Sequence, residues 1–215
     1  MLASMIISIK AQDAKSALIR GDAFVAQENY KAAIEEYSKV SPHNRDSYAR
    51  AIYNIGVCYY ELWQTEDAIR FYERAIELKH GNYPIASYAL GVALEEQGRL
   101  AEAKLAYQQA ANGSRRGFGP AIYKLGLLEA KAGELEKAAK LFKDAASRKG
   151  EHVPASHNNL GVMLARQGFL KEAEKEFLIA LNSSDGVFAD AAHNLKLCRS
   201  LMNNANSASL VGAFR

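Results

Sequence analysis

The sequence predicts an all-α solenoid of five helix–turn–helix repeats followed by a C-terminal capping helix, and three regularities predict it. Glycines stand at Gly21, Gly56, Gly91, Gly126 and Gly161, each 35 residues after the last. Alanines recur at the same interval at Ala33, Ala68, Ala103, Ala138 and Ala173, and aromatics at Tyr37, Tyr72, Tyr107, Phe142 and Phe177. A fixed period of about 20–50 residues marks units that bury their apolar faces on their neighbours.

With the glycine series as position 8, repeat one covers 14–48, repeat two 49–83, repeat three 84–118, repeat four 119–153 and repeat five 154–188. An N-terminal extension (1–13), a capping helix (189–203) and a flexible tail (204–215) complete the chain. Repeat one is expected to place helices at about 14–27 and 30–40, closed by Ser41–Pro42. In repeat three, Leu90, Leu94 and Leu100 alternate with Glu95, Glu96, Arg99 and Glu102 at helical spacing, as in amphipathic helices packed on one stripe. Gly98, Gly133 and Gly168 suit the left-handed residue that ends a helix. Pro84, Pro120 and Pro154 suit a first helical turn, where a missing N–H costs nothing. The small residues at positions 8 and 20 let two helix axes cross closely, with the position-24 ring filling the gap to the next unit. The capping helix keeps the phase, with Leu195 at position 7, but carries Lys196 in the glycine place, since no further repeat packs there.

Bulk composition bounds the function. The net charge of +3 is too small to demand nucleic acid or an anionic membrane. Cys58 and Cys198 lie four periods apart, so a repeat array keeps them separate; both are expected to be free, buried and in a reducing compartment. No apolar run reaches the roughly 18 residues of a membrane span. The N-terminal MLASMIISIK lacks a preceding positive charge and a clear cleavage site, and is expected to start a helix on the first repeat. A cytoplasmic protein is expected; the alternative, an exported one, requires that stretch to be a truncated signal peptide.

The pattern resembles the tetratricopeptide repeat: an aliphatic at position 7, glycine or alanine at 8, alanine at 20, an aromatic at 24 and alanine at 27. Repeat four reads Leu125, Gly126, Ala138, Phe142 and Ala145; repeat two reads Ile55, Gly56, Ala68, Tyr72 and Ala75. The resemblance covers residues 14–203 and implies a right-handed α-solenoid. The loops between repeats, such as AANGSRRGFGPAIYKLG, look Sel-one-like, whereas the inner turns lack that subfamily's insertion. Departures are Arg20 for the aliphatic and Glu28 for the turn glycine in repeat one, Trp63 at the turn glycine of repeat two, and Glu129 where other repeats carry Phe24, Tyr59, Leu94 and Leu164.

What the resemblance implies about function lies on the concave groove, at positions 2, 5, 6, 9, 12 and 13 of each first helix. Position 5 offers an aromatic ladder of Tyr53, Tyr88 and Tyr123, then Asn158; these rings either meet a partner peptide or pack between helices. Position 6 offers a partial amide ladder of Asn54, Asn159 and Asn194, with Lys124 between, able to pair with a peptide backbone. Val57, Val92, Leu127 and Val162 occupy position 9. Glu61, Glu95 and Glu96 against Lys124, Lys131 and Arg166 would orient a partner with oppositely charged ends. The carboxylate clamp for chaperone C-termini requires lysine and asparagine where this chain has Leu18 and Asp22, which disfavours that ligand. Trp63 is either a plug over the edge of repeats one and two or an exposed anchor.

No HExxH, CxxC, P-loop or GxSxG is present, and five scattered histidines, read as surface residues, make no metal site. The expectation is therefore a non-enzymatic scaffold with no catalytic residue, metal or cofactor, binding a protein or peptide partner in the groove. The alternative is an assembly subunit docking by its convex face or its ends. The basic pairs Arg115–Arg116 and Arg148–Lys149 lie in loops, and nucleic acid is disfavoured.

Overall fold

A computed structural model describes residues 2–113, 117–184, 186–203 and 214, with side chains from Asp13 onward. The described residues form eleven helices: α1 (Leu2–Val25), α2 (Tyr30–Ser38), α3 (Arg45–Glu61), α4 (Thr65–Leu78), α5 (Pro84–Glu96), α6 (Leu100–Asn112), α7 (Gly119–Lys131), α8 (Leu135–Ala146), α9 (His152–Arg166), α10 (Leu170–Asn182) and α11 (Ala189–Asn203). The chain divides into two compact units, Met1–Arg116 and Gly117–Arg215. In the first, α1/α2, α3/α4 and α5/α6 pair, each second helix meets the next pair, and the first helices α1, α3 and α5 touch in succession. The second repeats the scheme with α7/α8 and α9/α10, and α11 packs on α10 and α9. The extension expected at 1–13 is helical from Leu2 and continuous with the first helix of repeat one. Of the tail at 204–215, only Phe214 lies among the described residues, and it is buried.

All five inner turns close alike. The N–H groups of Asn29, Gln64, Arg99, Glu134 and Phe169 reach back five residues to the carbonyls of Phe24, Tyr59, Leu94, Glu129 and Leu164, each at 2.9 Å. This bond captures a helix-end carbonyl and requires a left-handed residue just before the donor. Gly98, Gly133 and Gly168 supply it with φ of 73°, 81° and 86°, while Glu28 and Trp63 are forced to 57° and 60°. Glu129 departs from the repeat pattern at no cost to the turn, because only its carbonyl is used.

The position-20 alanines are all fully buried. The position-8 glycines give the close approach expected of them, but the position-24 ring, expected to fill the gap to the next unit, is what lies on them. A Cβ on Gly91 would lie 2.5 Å from the Tyr107 ring, and Gly21, Gly56, Gly126 and Gly161 stand in the same way under Tyr37, Tyr72, Phe142 and Phe177. Each ring thus lies on the glycine of its own repeat. Cys58 and Cys198 are buried free thiols.

Candidate functional site

The predicted groove residues fall into three physical groups. The tyrosines of position 5 are half-buried, and each lays its ring on the position-24 ring of its own repeat. Centroids are 5.8 Å apart for Tyr53–Tyr72, 5.9 Å for Tyr88–Tyr107 and 5.8 Å for Tyr123–Phe142. Tyr53 also meets Tyr83 at 5.7 Å, and burial pushes its phenol up to about 12. Packing, one of the two uses foreseen for these rings, is therefore what the geometry displays, and part of each ring stays accessible.

The asparagines are spent on one another or on neighbours. Asn54 Nδ2 donates to Asp22 Oδ1 at 3.2 Å. In the second unit Asn194 donates to Asn158 at 3.0 Å, Asn158 to Asn159 at 3.2 Å, and Asn159 to the Tyr123 hydroxyl at 3.2 Å. Asn158 and Asn194 are buried, at 3% and 0% exposure, so they face no partner. A half-made amide pair inside a protein is costly, which explains why these amides form a closed chain.

The carboxylates of the first unit are held by tyrosine hydroxyls. Tyr37 donates to Asp22 at 2.7 Å, Tyr107 to Glu95 at 2.6 Å, and Tyr60 to Glu96. Burial first, then the acidic acceptor, raises the phenols of Tyr37, Tyr60 and Tyr107. A position-24 tyrosine donates to a carboxylate of its own first helix in repeats one and three, at position 9 in the former and position 12 in the latter, whereas repeats four and five have Phe142 and Phe177 there, with no hydroxyl to donate. Glu61 and, in the second unit, Lys131 and Arg166 are exposed; Lys124 and Leu127 are half-buried, like Val57 and Val92, whereas Val162 is buried.

A pocket of about 390 Å³ opens in the first unit, lined by Asp22, Val25, Tyr37, Arg50, Tyr53, Asn54 and Val57. In repeat numbering six of these seven are at positions 9 and 12 of repeat one and 2, 5, 6 and 9 of repeat two. One wall is apolar (Val25, Val57 and the Tyr53 ring). The other is charged, with Arg50 on Asp22 at 2.7 Å. Arg50, Asp22 and Val25 are not among the groove residues the sequence singles out, because aromatic and amide ladders repeat in register and a charge pair between adjacent repeats does not.

Trp63 is 90% exposed and plugs nothing. The histidines are not all surface residues. His157 pairs with Glu176 at 2.7 Å, and His152 is half-buried with Nε2 at 3.1 Å from the Ala145 carbonyl, its imidazolium disfavoured by burial. Among the described residues no group of three or more His, Cys, Asp or Glu side chains could hold a metal ion. No described helix is long and apolar enough to cross a membrane. Arg115 and Arg116 lie outside the described residues, and Arg148 pairs with Asp144 of its own repeat.

Two models of the tetratricopeptide repeat match the chain, one over residues 14–79 and the other over 64–117 and 123–187. The chain belongs to the tetratricopeptide repeat family. Neither model carries the Sel-one-like character expected of the loops. No curated protein sequence matches the chain. Among solved structures, MamA shares 26% identity and superposes with a TM-score of 0.63 over 77% of this chain and 94% of its own. YrrB, described as a tetratricopeptide repeat protein with an unusual peptide-binding site, shares 23% identity with a TM-score of 0.63, covering 81% of this chain and 88% of its own. TTC0263, a thermophilic member from Thermus thermophilus, shares 22% identity with a TM-score of 0.57 over 87% and 100%. The fold is thus the all-α solenoid of this family, five repeats with a capping helix. Tetratricopeptide repeat proteins mediate protein–protein interactions and are generally not catalysts.

Proposed function

We propose that the chain is a non-enzymatic scaffold that holds an extended peptide or a helix of a partner protein against its first helices. The pocket at repeats one and two carries this reading, because it is built almost entirely from the positions that family members turn toward ligands. Its volume lies within the roughly 300–1,000 Å³ of ligand clefts, enough for a peptide side chain. The apolar wall supplies affinity. The Asp22–Arg50 pair, already satisfied, supplies a rim that a partner of mixed charge can join without leaving either group bare. The half-buried Tyr53 and Tyr88 rings are held by packing, so little ordering cost falls on the scaffold when they are covered. Exposed Lys131 and Arg166 offer the second unit's first helices to acidic partner residues.

Exposed apolar side chains elsewhere favour the second reading, an assembly subunit. Leu105 on α6 and Leu178 and Ile179 on α10 belong to second helices, away from the groove positions.

The test is retention of partner proteins by the wild type and by a Tyr53→Ala/Tyr88→Ala/Tyr123→Ala variant whose helicity is checked by circular dichroism. Loss of the partner from the folded variant supports the groove. Retention by both moves the site to the second helices or the ends. A Lys131→Glu/Arg166→Glu variant is expected to release partners with acidic segments.

A further inference from the structure

The fifth repeat lacks a ring at position 5, where it has Asn158, and yet its position-24 ring is not left bare. Phe177 meets Phe214 at 6.0 Å between centroids and an interplanar angle of 15°. Repeats two to four place their own position-5 tyrosines at 5.8–5.9 Å from the corresponding ring, tilted by 36–53° where Phe214 stacks. Phe214 lies beyond the end of α11 and is 3% exposed.

Burial differs at the same place. Position 9 is half-buried as Val57 and Leu127, but Val162 is 5% exposed. Position 6 is half-buried as Asn54, Lys124 and Asn159, but Asn194 of α11 is fully buried. Val57 and Leu127 each have a further first helix packed beyond their own, so the presence of α11 does not account for the difference. Phe214 belongs to one core cluster with Phe177, Val162, Leu195 and Leu201.

We propose that Phe214 is a groove ligand carried by the chain itself. It fills the place of the missing position-5 ring, and a partner peptide engages the fifth repeat by replacing Phe214 with a phenyl side chain of its own. The inference rests on the groove reading above and adds the ligand's chemistry and its control. The Asn194–Asn158–Asn159–Tyr123 hydrogen bonds are already closed, so the site selects an apolar ring and not a polar side chain. A tethered occupant lowers the apparent affinity of any competitor by the fraction of sites it fills. Phe214 therefore acts as a built-in threshold.

The test uses a fluorescent peptide of residues 204–215, NANSASLVGAFR, titrated into the full chain and followed by anisotropy. The Phe214→Ala chain is expected to bind it at least about tenfold more tightly than the wild type. The same peptide with the Phe214→Ala change is expected to bind neither. Equal affinity for both chains, binding of the alanine peptide, or no binding to a folded Phe214→Ala chain would overturn the proposal. Should Phe214→Ala fail to fold, a Trp63→Phe/Phe214→Trp chain reports directly. A buried-indole emission that shifts red on adding peptide supports the tethered ligand, and an exposed-indole emission from the start refutes it. Partner loss from a Tyr53→Ala/Tyr88→Ala chain combined with failure here would leave the groove reading standing and remove only the tail.

Discussion

The hydroxyl of Tyr37 donates to the carboxylate of Asp22 at 2.7 Å, and the same carboxylate receives Arg50 at 2.7 Å and Asn54 at 3.2 Å from the next repeat. One side chain therefore ties the ring that closes repeat one to the helix that opens repeat two. Asp22 and Arg50 are each about half exposed, so the ion pair itself is worth at most about 1 kcal/mol. The buried phenol matters more. Asp22→Ala leaves it and Asn54 without an acceptor and is expected to cost about 1–3 kcal/mol; Tyr37→Phe is expected to cost about 1 kcal/mol. In urea unfolding the double variant should lose less than the sum of the two. Strict additivity would mean that the contact contributes nothing.

Gly91 lies under Tyr107, with ring carbon 2.5 Å from where a Cβ would stand. Alanine normally stabilises a helix by about 1 kcal/mol over glycine. Here it has to displace a fully buried ring, and Gly91→Ala is expected to lower stability by about 1–3 kcal/mol. In a Tyr107→Leu background the same change should cost much less. An equal cost in both backgrounds would show that the ring is not what the glycine accommodates.

The repeat was legible because its determinants are backbone demands that recur: a small residue under a ring at position 8, alanine at the crossing, and a left-handed residue at the turn. Such demands leave residue types at fixed spacing. The pairing of polar side chains was less legible. Asn158 and Asn194 look like an open amide ladder in one dimension, and only the geometry shows them bonded to each other across 36 positions. Trp63 was ambiguous because a large aromatic in a turn suggests burial, while the turn's left-handed backbone points its side chain into solvent. Phe214 left no periodic trace, because it meets Phe177 from outside the repeat register.

Trp63 sits at φ 60° and is 90% exposed, so it adopts a backbone that only glycine takes without strain and gains little packing in return. A left-handed residue with a Cβ costs roughly 1–2 kcal/mol. Glycine removes that strain and gives part back as unfolded-chain entropy. Trp63→Gly is expected to raise the unfolding free energy by about 0.5–1 kcal/mol, read as a higher urea midpoint at unchanged slope. A lower midpoint would mean that the indole makes a stabilising contact. A tryptophan kept at a strain cost on the surface suits a contact with a partner, and partner retention by the variant is the companion measurement.

Burial pushes the Cys58 thiol up to about 11 and the Tyr53 phenol up to about 12. Both groups are neutral when protonated, and both folded values lie above the unfolded ones. The stability they contribute is thus fully present below the unfolded value and is lost as pH rises toward the folded one. For the thiol, with an unfolded value near about 9, the loss by pH 10 is about 1 kcal/mol. The phenol begins to add to it above about pH 10. Urea midpoints are expected to be flat from pH 7 to 8.5 and to fall steeply from 9 to 11. Cys198, whose thiol burial also raises, contributes in the same range, so Cys58→Ala should remove part of the early fall, Cys58→Ala/Cys198→Ala the rest of it, and both should leave the later fall. A thiol reagent at pH 8 should modify Cys58 only at the rate of unfolding, because the reactive thiolate is scarce and the sulfur is buried. Rapid modification of the native chain, or a stability that stays level to pH 11, would place Cys58 in contact with solvent and contradict the packing of α3.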